Sequence, residues 1–191
     1  MNTTGKQKEL FELIRERSFQ YGDFTLSSGK KSPYYFNLKP CMMQAKGALL
    51  CAHLSLDVIN ALSSRPSLIG GLEMGAIPVI SAIAALSEVQ GCPVDGIFVR
   101  KEIKAHGSKA RIEGLMPDES LKGRSVLVMD DVATSGASIL KAAQVIRDAG
   151  GVVQDALCLV NRHEGADALM EKARIKLHSI FDAEDFAPGR A

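Results

Sequence analysis

The sequence predicts an α/β fold in which a mostly parallel central sheet is flanked by helices, with a small N-terminal hood standing outside it. Three observations carry this expectation. Continuously apolar runs bounded by turn signals alternate with helical periodicities, the pattern of strands buried on both faces and the helices that bury them. An aromatic, glycine-punctuated stretch from Phe19 to Leu38 interrupts that alternation near the start. The apolar run Val126-Leu127-Val128-Met129 ends on Asp130 and Asp131 and then passes through a small, hydroxyl-rich turn, as a strand does when it delivers polar groups to a sheet's carboxyl edge.

The elements follow in order. From Lys8 to Arg17, Leu10, Phe11, Leu13 and Ile14 recur at helical spacing among charges, which predicts a first amphipathic helix. In the hood, strand-like pieces around Phe24 to Leu26 and Tyr34 to Asn37 flank the turn SSGKKSP. Ala45 to Leu62 predicts a long helix, Ser63 to Pro66 a turn, and Ser67 to Gly70 a short buried strand. Gly71 to Gly75 then forms a ligand loop ahead of a helix over Ala76 to Leu86, closed by Gly91 to Pro93. Strands at Gly96 to Val99 and Ser125 to Met129, a helix over Ser138 to Asp148, and strands at Val152 to Val160 and Ile175 to Ile180 complete the expected chain. The residues around Pro188 and Gly189 form a tail.

Bulk properties narrow the function. At 191 residues and 46% hydrophobic content the chain fits one domain with its own core. The formal charge is +1, from 23 Lys and Arg against 22 Asp and Glu, so no broad field draws nucleic acid or an anionic membrane. Any cationic site must be local. Cys41, Cys51, Cys92 and Cys158 form no C-x-x-C pair, against a zinc ribbon or redox dithiol. Charges run through the N-terminal segment, and no stretch is long enough to span a membrane. A cytoplasmic protein in a reducing compartment is expected.

The chemistry concentrates at strand ends. Beyond Asp130 and Asp131, Thr134, Ser135 and Ser138 supply hydroxyls and Gly136 permits a tight turn, while the start of the next helix aims backbone amides outward. A sugar held by its hydroxyls and a phosphate held by amides fit that arrangement. It is not a Walker A loop: Gly29-Lys30 is followed by Lys31 and lacks the earlier glycine, and Gly70, Gly71 and Gly75 do not make a dinucleotide fingerprint. The run Arg100, Lys101, Lys104, His106, Lys109 and Arg111 follows directly on a strand end. It is either a solvated basic surface or a set of cations that closes over a polyphosphate. His53, His163 and His178 have no metal-ligand spacing among them, and no serine sits in a nucleophile elbow. Arg162, at a strand end in VNRHEG, offers a planar fork suited to a carboxylate or an imide edge.

VLVMDDVATSGAS at Val126 to Ser138 resembles the phosphoribosyl pyrophosphate (PRPP) signature of type I phosphoribosyltransferases. FTLSSGKKSPYYFN at Phe24 to Asn37, GLEMGAIP at Gly71 to Pro78, RKEIKAHG at Arg100 to Gly107 and NRHEG at Asn161 to Gly165 are similar, in order and spacing, to the branch of that family that acts on orotate. The resemblance implies the type I phosphoribosyltransferase fold over residues 1–191, with the hood formed mainly by 18–40. It implies transfer of 5-phosphoribosyl from PRPP to orotate N1, giving orotidine 5-monophosphate and pyrophosphate in pyrimidine biosynthesis. Asp130 and Asp131 would face the ribose hydroxyls. Val132, Ala133, Thr134, Ser135, Gly136, Ala137 and Ser138 would also contact PRPP, the last six at its 5-phosphate. Arg100, Lys101, Lys104 and His106 would meet the pyrophosphate, and Lys101, Lys104 and His106 would act in catalysis with the two aspartates. Phe36, Asn37, Thr134 and Arg162 would contact orotate, Phe36 and Asn37 by presenting aromatic and backbone surface and Arg162 by meeting the carboxylate. Magnesium would be bound mainly through PRPP and water. A homodimer would form in which the Arg100 to Arg111 loop reaches the neighbouring active site. The chain departs from the pattern at Gly75 and Ser27, where some members carry lysine, and at Asn161, where an aspartate is frequent.

Overall fold

The computed structural model describes residues 3–25, 31–102 and 111–187. Lys104 and His106, part of the hood turn and the Pro188 to Gly189 tail lie outside the described residues.

Helix α1 (Thr3–Arg17) buries Leu10 and Ile14, one turn apart, and ends with basic Arg15 and Arg17 in its last turn, where they favour the negative end of the helix dipole. It leads into β1 (Phe19–Thr25), which pairs antiparallel with β2 (Lys31–Phe36) as a separate two-stranded sheet. This is the expected hood, with strands longer than the pieces read from sequence. Its aromatic residues explain the extra length: Phe19, Tyr34 and Phe36 pack on one another and on Phe186 with ring centroids 5.1 to 6.1 Å apart. A four-residue helix, α2 (Lys39–Met42), follows, and then α3 (Ala45–Ala61).

The main sheet begins with β3 (Leu68–Leu72), crosses through α4 (Ile77–Val89) to β4 (Asp95–Val99), and adds the two-residue β5 (Ile112–Glu113) at its edge. The chain then returns past β3 to β6 (Val126–Ala133) and continues through α5 (Ala137–Asp148), β7 (Asp155–Asn161), α6 (Ala166–Lys172) and β8 (Lys176–Asp182). A 3-10 turn, Ala183–Phe186, ends the described chain's regular structure. Strand order is β5-β4-β3-β6-β7-β8, parallel throughout except at β5.

Alternate residues of β6 enter different cores. Leu127 and Met129 join Leu10, Ile14, Leu50 and Ile59 on one face, whereas Val126 and Val128 join Ile97, Ile139, Ile146 and Met170 on the other. Helix α5 shows why: Ile139, Ala142, Ala143 and Ile146 make one buried stripe at helical spacing. Covering both faces leaves only the strand ends open to a ligand.

Five elements differ from the sequence expectation. Strand β6 runs to Ala133, so Asp130 and Asp131 lie within its ladder rather than beyond it, with Asp130 opposite Cys158 and Ala133 opposite Asn161. Strand β7 starts at Asp155; Val152 makes only an isolated bridge to Ser125. Helices α2 and α6 were not anticipated, being too short for their periodicity to register. Neither was β5, held by its pairing with β4.

Candidate active site

The order of strands places a crevice between β3 and β6, because the chain leaves β3 toward β4 on one side and resumes on the other side with β6. Ligands in open α/β sheets bind where connections diverge in this way. A cavity of about 200 Å³ lies there. Leu72, Glu73 and Gly75 wall it from the end of β3, Asp130, Asp131 and Val132 from β6, and Ser138 from the first turn of α5; Lys39 and Lys101 complete the rim.

Burial along β6 explains how carboxylates come to stand here. Val126 to Met129 are closed off, and the strand opens at Asp130, Asp131 and Val132. Asp131 N–H donates to Asp130 Oδ1 at 3.0 Å and Val132 N–H to Asp131 Oδ1 at 2.9 Å. Each carboxylate is thus fixed against its own strand. Burial, reinforced by the Asp131 charge beside it, pushes Asp130 up to about 8.

After Ala133 the chain turns through Gly136, whose φ of 77° is the left-handed conformation that glycine adopts without strain. The N-cap Gly136 makes no side-chain bond to α5, and a helix start of this kind draws an anion to its first-turn amides. Ser135 Oγ accepts from Ala137 N–H at 3.4 Å, and Thr134 carbonyl accepts from Ala166 N–H at 3.2 Å. The second bond ties the turn to α6, while Arg162 N–H donates to Ala133 carbonyl at 2.9 Å. The expected orotate-contacting Arg162 and the end of β6 are thereby brought to one rim.

Arg162 is nearly enclosed. Its Nε and Nη2 donate to Glu164 Oε1 at 2.9 and 2.7 Å, Nη2 also donates to Ser32 Oγ at 2.9 Å, and the guanidinium lies 4.9 Å from the centre of the Tyr34 ring. The hood is thus joined to β7 through this arginine. Asn161, in place of the family's frequent aspartate, donates from Nδ2 to Asp167 Oδ1 at 2.9 Å and accepts His163 N–H at 3.0 Å. His163 itself spans Asp167 at 2.9 Å and Asp182 at 3.0 Å, and the Asp167 hydrogen bond leads in raising its pKa.

Two expected residues are engaged with other parts of the chain. Phe36 is 6% exposed, its ring packed in the aromatic core of the hood, because alternation along β2 turns it the same way as the inward Ser32 and Tyr34. Arg100 does not line the cavity; its Nη1 donates to Glu113 Oε1 at 3.0 Å, since β5 folds back antiparallel beside β4. Lys101 is at the rim, with its N–H donating to Glu73 Oε1 at 2.7 Å. Asn37 N–H donates to Ser18 carbonyl at 2.8 Å, and its buried Oδ1 has no partner among the described residues.

Sequence reasoning missed Lys39, Glu73, Glu164, Ser32 and Tyr34. Glu164 alone carried a signal, two residues after Arg162 and opposite in charge. Among the described residues no three His, Cys, Asp or Glu side chains cluster to hold a metal. The cavity's carboxylates are hard oxygen donors, and such a sparse set suits magnesium held mostly by substrate phosphates and water.

The model of the phosphoribosyl transferase domain matches residues 43–183. The orotate phosphoribosyltransferase of Rhodopseudomonas palustris (strain BisB18) is 42% identical over 186 residues, covering 97% of this chain and 98% of that one. Among solved structures, Mycobacterium tuberculosis H37Rv orotate phosphoribosyltransferase in complex with Fe(III) dicitrate superposes with a TM-score of 0.80 at 34% identity, over 95% of this chain and 99% of that one. The same organism's enzyme in complex with PRPP gives a TM-score of 0.76 at 30% identity, over 95% and 98% of the two chains. No helix among the described residues is long and apolar enough to cross a membrane.

Proposed function

The chain belongs to the orotate phosphoribosyltransferases of the phosphoribosyltransferase family, and from that premise we propose that it joins orotate N1 to C1 of PRPP, releasing pyrophosphate and orotidine 5-monophosphate. The observation that carries this reading is the meeting, at one crevice, of the Asp130–Asp131 pair with the start of α5. The first suits a ribose diol and the second a monophosphate.

In the reaction the C1–oxygen bond to pyrophosphate breaks as the N1–C1 bond forms, with inversion at C1. Ionised orotate is already a nucleophile, so the protein's task is to align the two molecules and to balance charge that separates as C1 becomes oxocarbenium-like. Asp130 and Asp131 hold the ribose hydroxyls. Amides from Ala137 and Ser138, with the Thr134 and Ser135 hydroxyls, hold the 5-phosphate. Lys101 meets the growing charge on the leaving group, and Lys104 and His106 do so from the same loop. Arg162, braced by Glu164 and stacked on Tyr34, takes the orotate carboxylate. Magnesium, when bound near the Glu73 and Asp131 carboxylates, would supply further charge neutralisation. The protein works in the cytoplasm as a homodimer whose Arg100 to Arg111 loop serves the partner's site.

The test mixes purified protein with magnesium, PRPP and orotate, follows the loss of orotate ultraviolet absorbance, and identifies the product by mass. Turnover requiring every component supports the reading. An inert orotate mixture, with turnover of adenine, hypoxanthine, guanine or uracil in its place, would overturn the base assignment.

A further inference from the structure

The cavity between β3 and β6 has an electrostatic problem. Glu73 and Asp131 line it beside Asp130, yet on the reading above it must admit a substrate carrying a phosphate and a diphosphate. Like charges at such range cost several kcal/mol unless fixed cations offset them. Gly75, which lines the cavity beside Glu73, has no side chain to provide one. A Cβ built there would lie 2.8 Å from Asp131 Oδ1 and 3.1 Å from its Cγ, so a side chain at this position would shift the Asp131 carboxylate. The absent side chain at Gly75 makes the seat in which the Asp131 carboxylate rests.

Besides Lys101, the cavity's lining holds a second cation. Lys39 lines the same cavity and makes no ion pair among the described residues. Its backbone is held firmly: Leu38 before it and Cys41 after it are wholly buried, and Met43 N–H donates to the Lys39 carbonyl at 2.9 Å. The hood leads into this position, and the short α2 fixes it. An exposed lysine on a surface helix usually does no more than solvate the chain. This one is carried on buried neighbours to the rim of an acidic cavity.

We propose that Lys39 is a binding residue for the diphosphate of PRPP, supplying from α2 a positive charge that Gly75, without a side chain, does not supply. The proposal rests on the reading that the cavity binds PRPP. It assigns Lys39 a different duty from Lys101, which continues from β4 and shares its backbone with Glu73 and Lys141 through hydrogen bonds of 2.7 and 3.2 Å.

The experiment is calorimetric titration of magnesium with PRPP, with inorganic pyrophosphate and with ribose 5-phosphate, each into wild type, Lys39→Gln and Lys39→Arg. A lost charged contact corresponds to roughly a ten-fold or greater weakening. The expected result is that weakening for PRPP and pyrophosphate in Lys39→Gln, recovery of most of it in Lys39→Arg, unchanged ribose 5-phosphate binding and an unchanged urea unfolding midpoint. Lys39→Met, which keeps the aliphatic stem, should behave as Lys39→Gln does. Wild-type affinity for pyrophosphate in Lys39→Gln would overturn the proposal, as would equal weakening of ribose 5-phosphate. Wild type that binds PRPP without converting orotate would overturn the functional reading while the titrations still decide Lys39. Wild type that binds neither PRPP nor pyrophosphate would overturn both.

Discussion

Replacing Asp130 by asparagine should make the ligand-free protein more stable in alkaline solution than wild type while weakening its hold on PRPP. Burial and the neighbouring Asp131 raise Asp130 from 3.8 in the unfolded chain to about 8 in the folded one. Between those values the folded state keeps a proton that the unfolded state has lost, so wild-type stability falls as pH rises. It is full below 3.8 and is lost as pH climbs through about 8. A difference of that size has an upper bound on the order of 6 kcal/mol, and sharing of the proton with Asp131 and local relaxation reduce the expected effect to about 3 kcal/mol. Asparagine keeps the shape and does not titrate. Urea unfolding of both proteins from pH about 5 to about 9 should therefore show the curves diverging, with Asp130→Asn ahead at the alkaline end. Parallel curves across that range would refute the argument that this carboxylate is held in a charge-excluding position.

Arg162→Ala should raise the orotate KM by roughly ten-fold or more, the worth of a charge-assisted contact, and leave the PRPP KM within about two-fold; steady-state kinetics with each substrate varied separates the two. Gly136→Ala puts a side chain at φ 77°, 3.1 Å from Ala166 Cα, and should lower unfolding free energy by about 2 kcal/mol in a urea melt. His163 is raised by its bond to Asp167, so the clamp between α6 and β8 is fully present below 6.5 and is lost as pH rises through the raised value. His163→Gln should flatten thermal stability across that window, and an unchanged pH profile would count against the clamp.

Long periodic elements were legible in the chain because their burial follows one rule over many residues. Helix α5 and strand β6 show it: Ile139, Ala142, Ala143 and Ile146 make a helical stripe, and Val126 to Met129 an unbroken apolar run. The site's central carboxylates and turn were readable for the same reason, as polar groups where such a run stops. What escaped was set by tertiary placement. Lys39 is one lysine among many until α2 and the order of strands carry it to the crevice. Phe36 read as a ligand-facing aromatic, but Phe19 and Phe186 claim its ring. Arg100 sits beside Lys101 in sequence, yet the hairpin-like return of β5 gives it Glu113 as a partner. Neighbouring positions in one motif thus part company when their backbones enter different pairings.

The adjacency of β3 and β6 also has a consequence for how activity appears during folding. Leu68 lies opposite Val126 and Gly70 opposite Val128, although the whole of α4, β4 and β5 intervenes in the chain. Such distant parallel pairing forms late, since a long loop must close before any contact rewards it. Glu73 and Asp130 belong to a common cavity only once that register is set. A refolding chain should therefore acquire helix and the local β1–β2 pairing while still unable to bind PRPP, and its ligand affinity should return in a single step with the joining of β3 and β6.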